Sequence, residues 1–190
     1  MQRPHPAAFV AAPSRSHARA AQIIRHGGEY LQFFSASVDH PIRRTLGIAH
    51  SKDLNSSWTV DADPILPLSE QIENSSLYYE PKNRMWFLFT NHVGIAKGVE
   101  YTDAVWVYWS KDLERWDPKN KAVVLDGQNC TWSKRAIGLP SVIRHKNQLA
   151  IFYDAPGGDS ISHMRRSIGL AWLQLPLTPP DAVKQTEPTH

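Results

Sequence analysis

The side chains best suited to chemistry in this sequence are scattered carboxylates and imidazoles. Asp39, Asp103, Asp154 and Asp159 fall in turn-like stretches after apolar runs, and His40, His92 and His163 occupy similar places. A carboxyl at such a place can act as a general acid or base, and an imidazole there can hydrogen-bond a hydroxyl-rich ligand. The ordinary reading of a loop aspartate is a turn former in water. The neighbouring Arg165 and Arg166 present forked donors that suit a carboxylate or phosphate. Trp132 offers a flat ring for stacking on a sugar, or equally for core packing.

Several chemistries are excluded. No two histidines stand four apart around a glutamate, so no helical metal motif exists and no metal or other cofactor is expected. The single cysteine, Cys130, makes no internal disulfide and no Cys-rich zinc site. Gly27-Gly28 and Gly157-Gly158 lack the strand-to-helix setting of a phosphate loop. Gly-x-Ser-x-Gly is absent, so there is no nucleophile elbow.

The elements that would position these groups emerge from an internal repeat. Ser51-Lys52-Asp53-Leu54 returns as Ser110-Lys111-Asp112-Leu113, 59 residues later (110 − 51), and a tryptophan follows each, Trp58 and Trp116. Ile24-Arg25-His26 returns as Ile143-Arg144-His145 after 119 residues (143 − 24), two such periods. Arg44 to His50 also resembles Arg166 to Trp172. A fixed period of this length marks a stack of like units.

Each unit opens on a short apolar strand: Gln22 to Arg25, Ser76 to Tyr79, and Ser141 to Arg144. A polar turn follows, then a second strand: Tyr30 to Phe34, Met85 to Phe89, and Leu149 to Tyr153. A longer loop leads to a third strand at Leu46 to His50, Val105 to Trp109, and Ile168 to Trp172. A fourth, edge strand is expected near Asp63 to Leu66 and near Ala122 to Leu125. Four antiparallel strands repeated in this way make the blades of a β-propeller. The expected units are 18–68, 69–128 and 129–173, after a disordered or truncated segment 1–17 and before a Pro-rich tail 174–190. Trp58 and Trp116 are expected to pack blade on blade.

Composition agrees with an all-β class. The 190 residues hold seven Trp, six Tyr and six Phe beside 14 Pro and 10 Gly. Hydrophobic residues make up 42% and charged residues 21%, which excludes a wholly disordered chain. The 21 basic residues alternate with 18 acidic ones for a net charge of +3, so no nucleic-acid partner is expected. No apolar run of about 18 residues exists to span a membrane. Ala7 to Ala12 is too short for a signal-peptide core, which leaves the location unknown, with cytoplasmic as the default and secretion as the alternative for a truncated N-terminus.

The run Gly28-Glu29-Tyr30 … Phe33-Phe34-Ser35 … Leu46-Gly47-Ile48-Ala49 … Ser51-Lys52-Asp53-Leu54 … Trp58 resembles the blade pattern of the five-bladed β-propeller glycoside hydrolases, families 43, 32, 68, 62 and 130 among them. The resemblance covers about residues 18–173. It implies a fold of five blades, of which this chain would hold about three. It implies hydrolysis of O-glycosidic bonds in oligo- or polysaccharides, on plant-type or storage polymers with furanose or pentose units. It also implies an Asp in the first blade as base or nucleophile, an Asp in the second that fixes geometry, and a Glu in the third as general acid. Ile72-Glu73-Asn74-Ser75 matches the third motif, which makes Glu73 the candidate acid. At the second motif, Arg19-Ala20-Ala21 puts Ala20 where the Asp would stand. The first motif has no counterpart. His92, Trp132, Asp154 and Arg165 complete the expected set of carbohydrate-binding residues. The alternatives are a non-catalytic carbohydrate-binding or interaction propeller and an inactive gene fragment. Blades left unclosed also imply self-association through their open edges.

Overall fold

The computed structural model describes residues 19–38 and 42–180. The segment 1–17, Asp39, His40 and the tail from residue 181 lie outside the described residues. Eleven β-strands and one short 3₁₀ turn (Leu68–Glu70) make up the described secondary structure. The strands form three antiparallel sheets, ordered β1-β2-β3-β4, β5-β6-β7-β8 and β9-β10-β11. The chain divides into two compact units at Ser75/Ser76.

In the first unit, β1 (Arg19–His26) and β2 (Glu29–Val38) are joined by Gly27-Gly28. Both glycines have positive φ, 60° and 89°, as a tight hairpin with two left-handed residues needs. β3 (Arg43–Ser51) pairs along the whole of β2, from Tyr30↔Ser51 to Val38↔Arg43. Side chains alternate across this pair, and Leu31, Phe33, Leu46 and Ile48 are buried on one face. The edge strand β4 is Thr59–Val60, not Asp63 to Leu66. Pro64 and Pro67 lack the N–H a ladder needs. The later segment keeps only single backbone bonds to β3, such as Ile65 N–H to the Leu46 carbonyl at 3.0 Å.

β5 (Ile72–Glu80) spans the boundary, and the rest of its sheet lies in the second unit. β6 (Met85–Ala96) and β7 (Val99–Ser110) are far longer than the sequence pattern implies. Lys97 and Gly98, with φ 52° and 75°, close them into one hairpin where a long loop was expected. His92 and Asp103 therefore lie in strands, on opposite strands within the irregularity where pairing shifts from Asn91↔Val105 to Val93↔Thr102. β8 (Lys121–Leu125) is the edge strand, as expected. The third sheet, β9 (Gly138–His145), β10 (Gln148–Ala155) and β11 (Ser167–Gln174), has three strands, not four. Asp154, expected in a loop, belongs to β10.

The core of the second unit joins the two sheets. Phe87, Phe89, Val105, Val107 and Trp109 of β6–β7 pack with Leu149, Ile151 and Tyr153 of β10. Both Ser-Lys-Asp-Leu turns use the aspartate as an internal acceptor. Asp53 Oδ1 takes the Asn55 N–H at 2.7 Å, and Asp112 Oδ1 takes the Arg115 N–H at 2.7 Å. Trp116 is buried and donates its indole N–H to the Leu113 carbonyl, whereas Trp58 is half-buried. Beyond β11 the chain stays attached to the second unit. Leu177 donates its N–H to Glu80 Oε2 at 3.1 Å, and Asn83 Nδ2 donates to the Leu177 carbonyl at 2.6 Å. Leu175 and Leu177 thus pack with the second unit.

Cross-strand pairs show how sequence sets the packing. Phe34 faces Gly47 and Tyr153 faces Gly169. In the second sheet the large residue sits on the other strand, as Thr90 opposite Trp106. A Cβ on Gly169 would lie 2.2 Å from Tyr153 Cζ. The Tyr153 hydroxyl is held by the Trp132 indole N–H at 2.9 Å, so the ring is not free to swing away. Gly169→Ala is expected to cost about 1–3 kcal/mol of overpacking. Urea unfolding reads this directly, and an unchanged midpoint would contradict the packing assigned to Tyr153.

Candidate functional site

Glu73 is the second residue of β5 and is half-buried. Two left-handed residues bracket it, Gln71 at φ 51° and Asn74 at φ 63°. Such a backbone is costly for residues other than glycine and needs support from its surroundings. Ser35 at the far end of β2 supplies it, accepting the Asn74 N–H on Oγ at 2.7 Å. Gln71 Oε1 accepts the Arg44 N–H at 3.0 Å. The first unit therefore fixes the backbone on which Glu73 stands.

The second unit repeats the device. Leu139, near the start of β9, has φ 48°, and its N–H donates to Asn91 Oδ1 at 2.9 Å. Asn91 lies opposite Val105 as Ser35 lies opposite Leu46, and Asp154 lies opposite Ile168 in the third sheet. Ser35, Asn91 and Asp154 are thus one position in three copies. The same registers pair Arg19 with Ser35 and Gly138 with Asp154. Arg19 therefore matches Gly138, and Ala20 matches Leu139 and Asn74. Glu73 corresponds to Gly138 in the third sheet. A Cβ at Gly138 would meet Thr102 Oγ1 at 2.5 Å, and Arg166 Nη2 and Asp154 Oδ1 at 3.1 Å each. Space that a side chain would fill is taken by an ion pair.

That pair is bidentate. Arg166 Nε donates to Asp154 Oδ2 at 2.7 Å and Nη2 donates to Oδ1 at 2.8 Å. Arg166, not Arg165, makes this contact. Arg165 is exposed with φ 57°. Trp132 stacks on Tyr153 with ring centroids 5.9 Å apart, and it packs against the core. His92 stacks on Trp106 at 4.2 Å and shares a 2.8 Å hydrogen bond between Nε2 and the Tyr108 hydroxyl. Three of the residues expected to touch sugar are therefore engaged by protein partners. His163 shares a contact with the Glu100 carbonyl, and Asp159 is exposed.

Asp103 is the residue that sequence reasoning undervalued. It accepts the Trp106 indole N–H at 3.2 Å. Burial pushes its carboxyl up from the ordinary value, with the Trp106 hydrogen bond opposing that shift and the Asp126 charge adding to it. A carboxyl raised in this way holds its proton to a higher pH than a turn aspartate does. Its signal in the sequence is slight, an Asp three residues before Trp106. The ionised form is disfavoured by folding, so stability is gained as pH falls through the raised folded value. Asp103→Asn is expected to raise the urea midpoint at pH 7 and to weaken that gain on acidification. A variant with the wild-type pH profile would overturn the burial argument.

Among the described residues no group of three or more His, Cys, Asp or Glu is placed to hold a metal ion. No described helix is long and apolar enough to cross a membrane.

This series of small antiparallel sheets is the fold of solved propeller glycoside hydrolases. Solved structures of that class share the fold. A thermostable family-43 glycoside hydrolase matches with a TM-score of 0.65 at 17% identity, over 85% of this chain and 52% of its own. An endo-arabinase from Bacteroides thetaiotaomicron matches with a TM-score of 0.62 at 15% identity, over 80% of this chain and 55% of its own. A β-1,2-mannobiose phosphorylase from Listeria innocua, solved with β-1,2-mannobiose, matches with a TM-score of 0.59 at 18% identity, over 83% and 41%. The chain spans about half the length of these structures. No protein-family model and no curated protein sequence matches it.

Proposed function

We propose that this chain acts on O-glycosidic bonds of oligo- or polysaccharides, with Glu73 as the general acid. The observation that supports it is the placement of Glu73. It stands at the start of a blade-like first strand, on a backbone held by Ser35, in a fold shared with enzymes of carbohydrate chemistry. Glycoside hydrolysis needs a carboxyl that protonates the leaving oxygen and a second carboxylate that attacks or activates water. Glu73 fills the first role. Within the second unit, Asp103 is a carboxyl whose proton affinity burial raises.

A second reading is a module that binds carbohydrate without cleaving it. It is favoured by Ala20, which stands where the resemblance implies an Asp. Nitrophenyl arabinofuranosides, xylosides and fructofuranosides separate the two. Release of nitrophenol by the chain supports the hydrolase, and its dependence on Glu73 tests the role. Calorimetric binding of oligosaccharide without release supports the binding module. Neither result overturns both.

A further inference from the structure

We infer that the outer face of the third sheet is a docking surface for the first sheet of a second copy of this chain. In β9–β11 one face carries Ile143, Phe152, Ile168, Leu170 and Trp172, exposed by 60%, 42%, 76%, 46% and 47%. Isolated exposed apolar residues are ordinary, but five on one face of one sheet form a patch that marks an interaction surface. Register identifies what the patch is built to meet. Phe152 pairs with Leu170 and Ala150 with Trp172, as Phe89 pairs with Val107 and Phe87 with Trp109. The β6–β7 face is covered within this chain by Val142, Leu149, Ile151 and Tyr153 of the next sheet. The β10–β11 face repeats it, and among the described residues nothing covers it.

The first sheet carries the matching cover. Ile23 lies opposite Gln32 as Val142 lies opposite Ile151. On this face Arg25 lies beside Tyr30, the counterparts of Arg144 and Leu149. Ile23 is 48% exposed. The polar device agrees as well. Ser35 and Asn91 each accept an N–H from the first strand of the following sheet, and Asp154 is the third member of that series. Its acceptor would meet the backbone near Ala20 of the second copy. Both halves of one sheet-on-sheet contact thus exist on a single chain, so the association is head-to-tail. This holds whether or not the chain cleaves sugars.

The test is the mass of the full chain in solution by sedimentation or light scattering across the micromolar range. The wild-type chain is expected to associate with rising concentration. Leu170→Glu spoils the docking face and Ile23→Glu spoils the cover, and each variant alone is expected to be a monomer. Both residues are exposed, and circular dichroism confirms that the sheets persist. An equimolar mixture of the two variants keeps one intact face and one intact cover, and is expected to give a dimer with one copy of each. A wild-type chain that stays monomeric overturns the inference. So does an Ile23→Glu chain that still self-associates, which would mean face-to-face pairing. A mixture that remains monomeric overturns it too.

Discussion

Glu73→Gln is expected to slow hydrolysis of 4-nitrophenyl glycosides by about 10²–10⁴-fold, the usual worth of a positioned general acid. The substitution keeps the shape of the side chain and removes the transferable proton. Because Ser35 Oγ holds the Asn74 N–H and the Gln71 side chain accepts the Arg44 N–H, the change should leave the sheet intact. A control distinguishes acid catalysis from mere positioning. A 2,4-dinitrophenyl leaving group departs without much protonation, so the loss on that substrate should be far smaller. An equal loss on both substrates would mean that Glu73 shapes the site without donating a proton. No loss on either would end its assignment.

The strands themselves were legible in the sequence, because the repeat fixes register as well as position. Gly27-Gly28 announces its hairpin, since two consecutive left-handed residues are accessible to glycine at little cost. Gly47 and Gly169 recur at one place in the repeat, and the structure sets each opposite an aromatic ring. The edge strand of the first sheet was not readable. Ile65 and Leu66 look like strand residues, yet the prolines on either side deny them a ladder, and the weakly patterned Thr59–Val60 pairs instead. The length of β6 and β7 was hidden for a different reason. Asn91, His92 and Gly94 break the apolar pattern, yet pairing resumes past the bulge from Val93↔Thr102 to Ala96↔Val99 at the Lys97-Gly98 turn.

The site was less legible than the fold. Glu73 is proposed from its motif, but the left-handed Asn74 beside it leaves no mark, since asparagine serves equally well in a loop. Arg165 and Arg166 are indistinguishable as neighbours. Which of them meets Asp154 depends on the parity of β11, where Arg166 directly precedes the strand. Trp132 and His92 looked available for ligand because their partners, Tyr153 and Tyr108, are distant in sequence. The raised proton affinity of Asp103 is likewise a product of burial by residues brought from elsewhere.

Asn91→Ala is expected to be among the most damaging substitutions in the second unit. Asn91 is fully buried. Its Nδ2 donates to the Ala104 carbonyl at 2.6 Å and the Ile137 carbonyl at 3.1 Å, and its Oδ1 accepts the Leu139 N–H. One side chain thus ties β6 to β7 and to the start of β9. Leaving a buried partner unsatisfied costs about 1–3 kcal/mol each, so a loss of about 3–5 kcal/mol is expected once partial relaxation is allowed. Against a total stability of about 5–15 kcal/mol this is a large share. The repeat supplies graded variants. Asn91→Ser copies Ser35 and keeps an acceptor for Leu139, so it should lose less than the alanine variant. Asn91→Asp copies Asp154 but sets a carboxylate against two carbonyl oxygens with no Arg166 to answer it, so it should lose at least as much. Urea unfolding midpoints rank the three. If alanine costs under about 1 kcal/mol, the cost of a single ordinary hydrogen bond, or if aspartate is the best tolerated, then Asn91 does not pin the third sheet to the second.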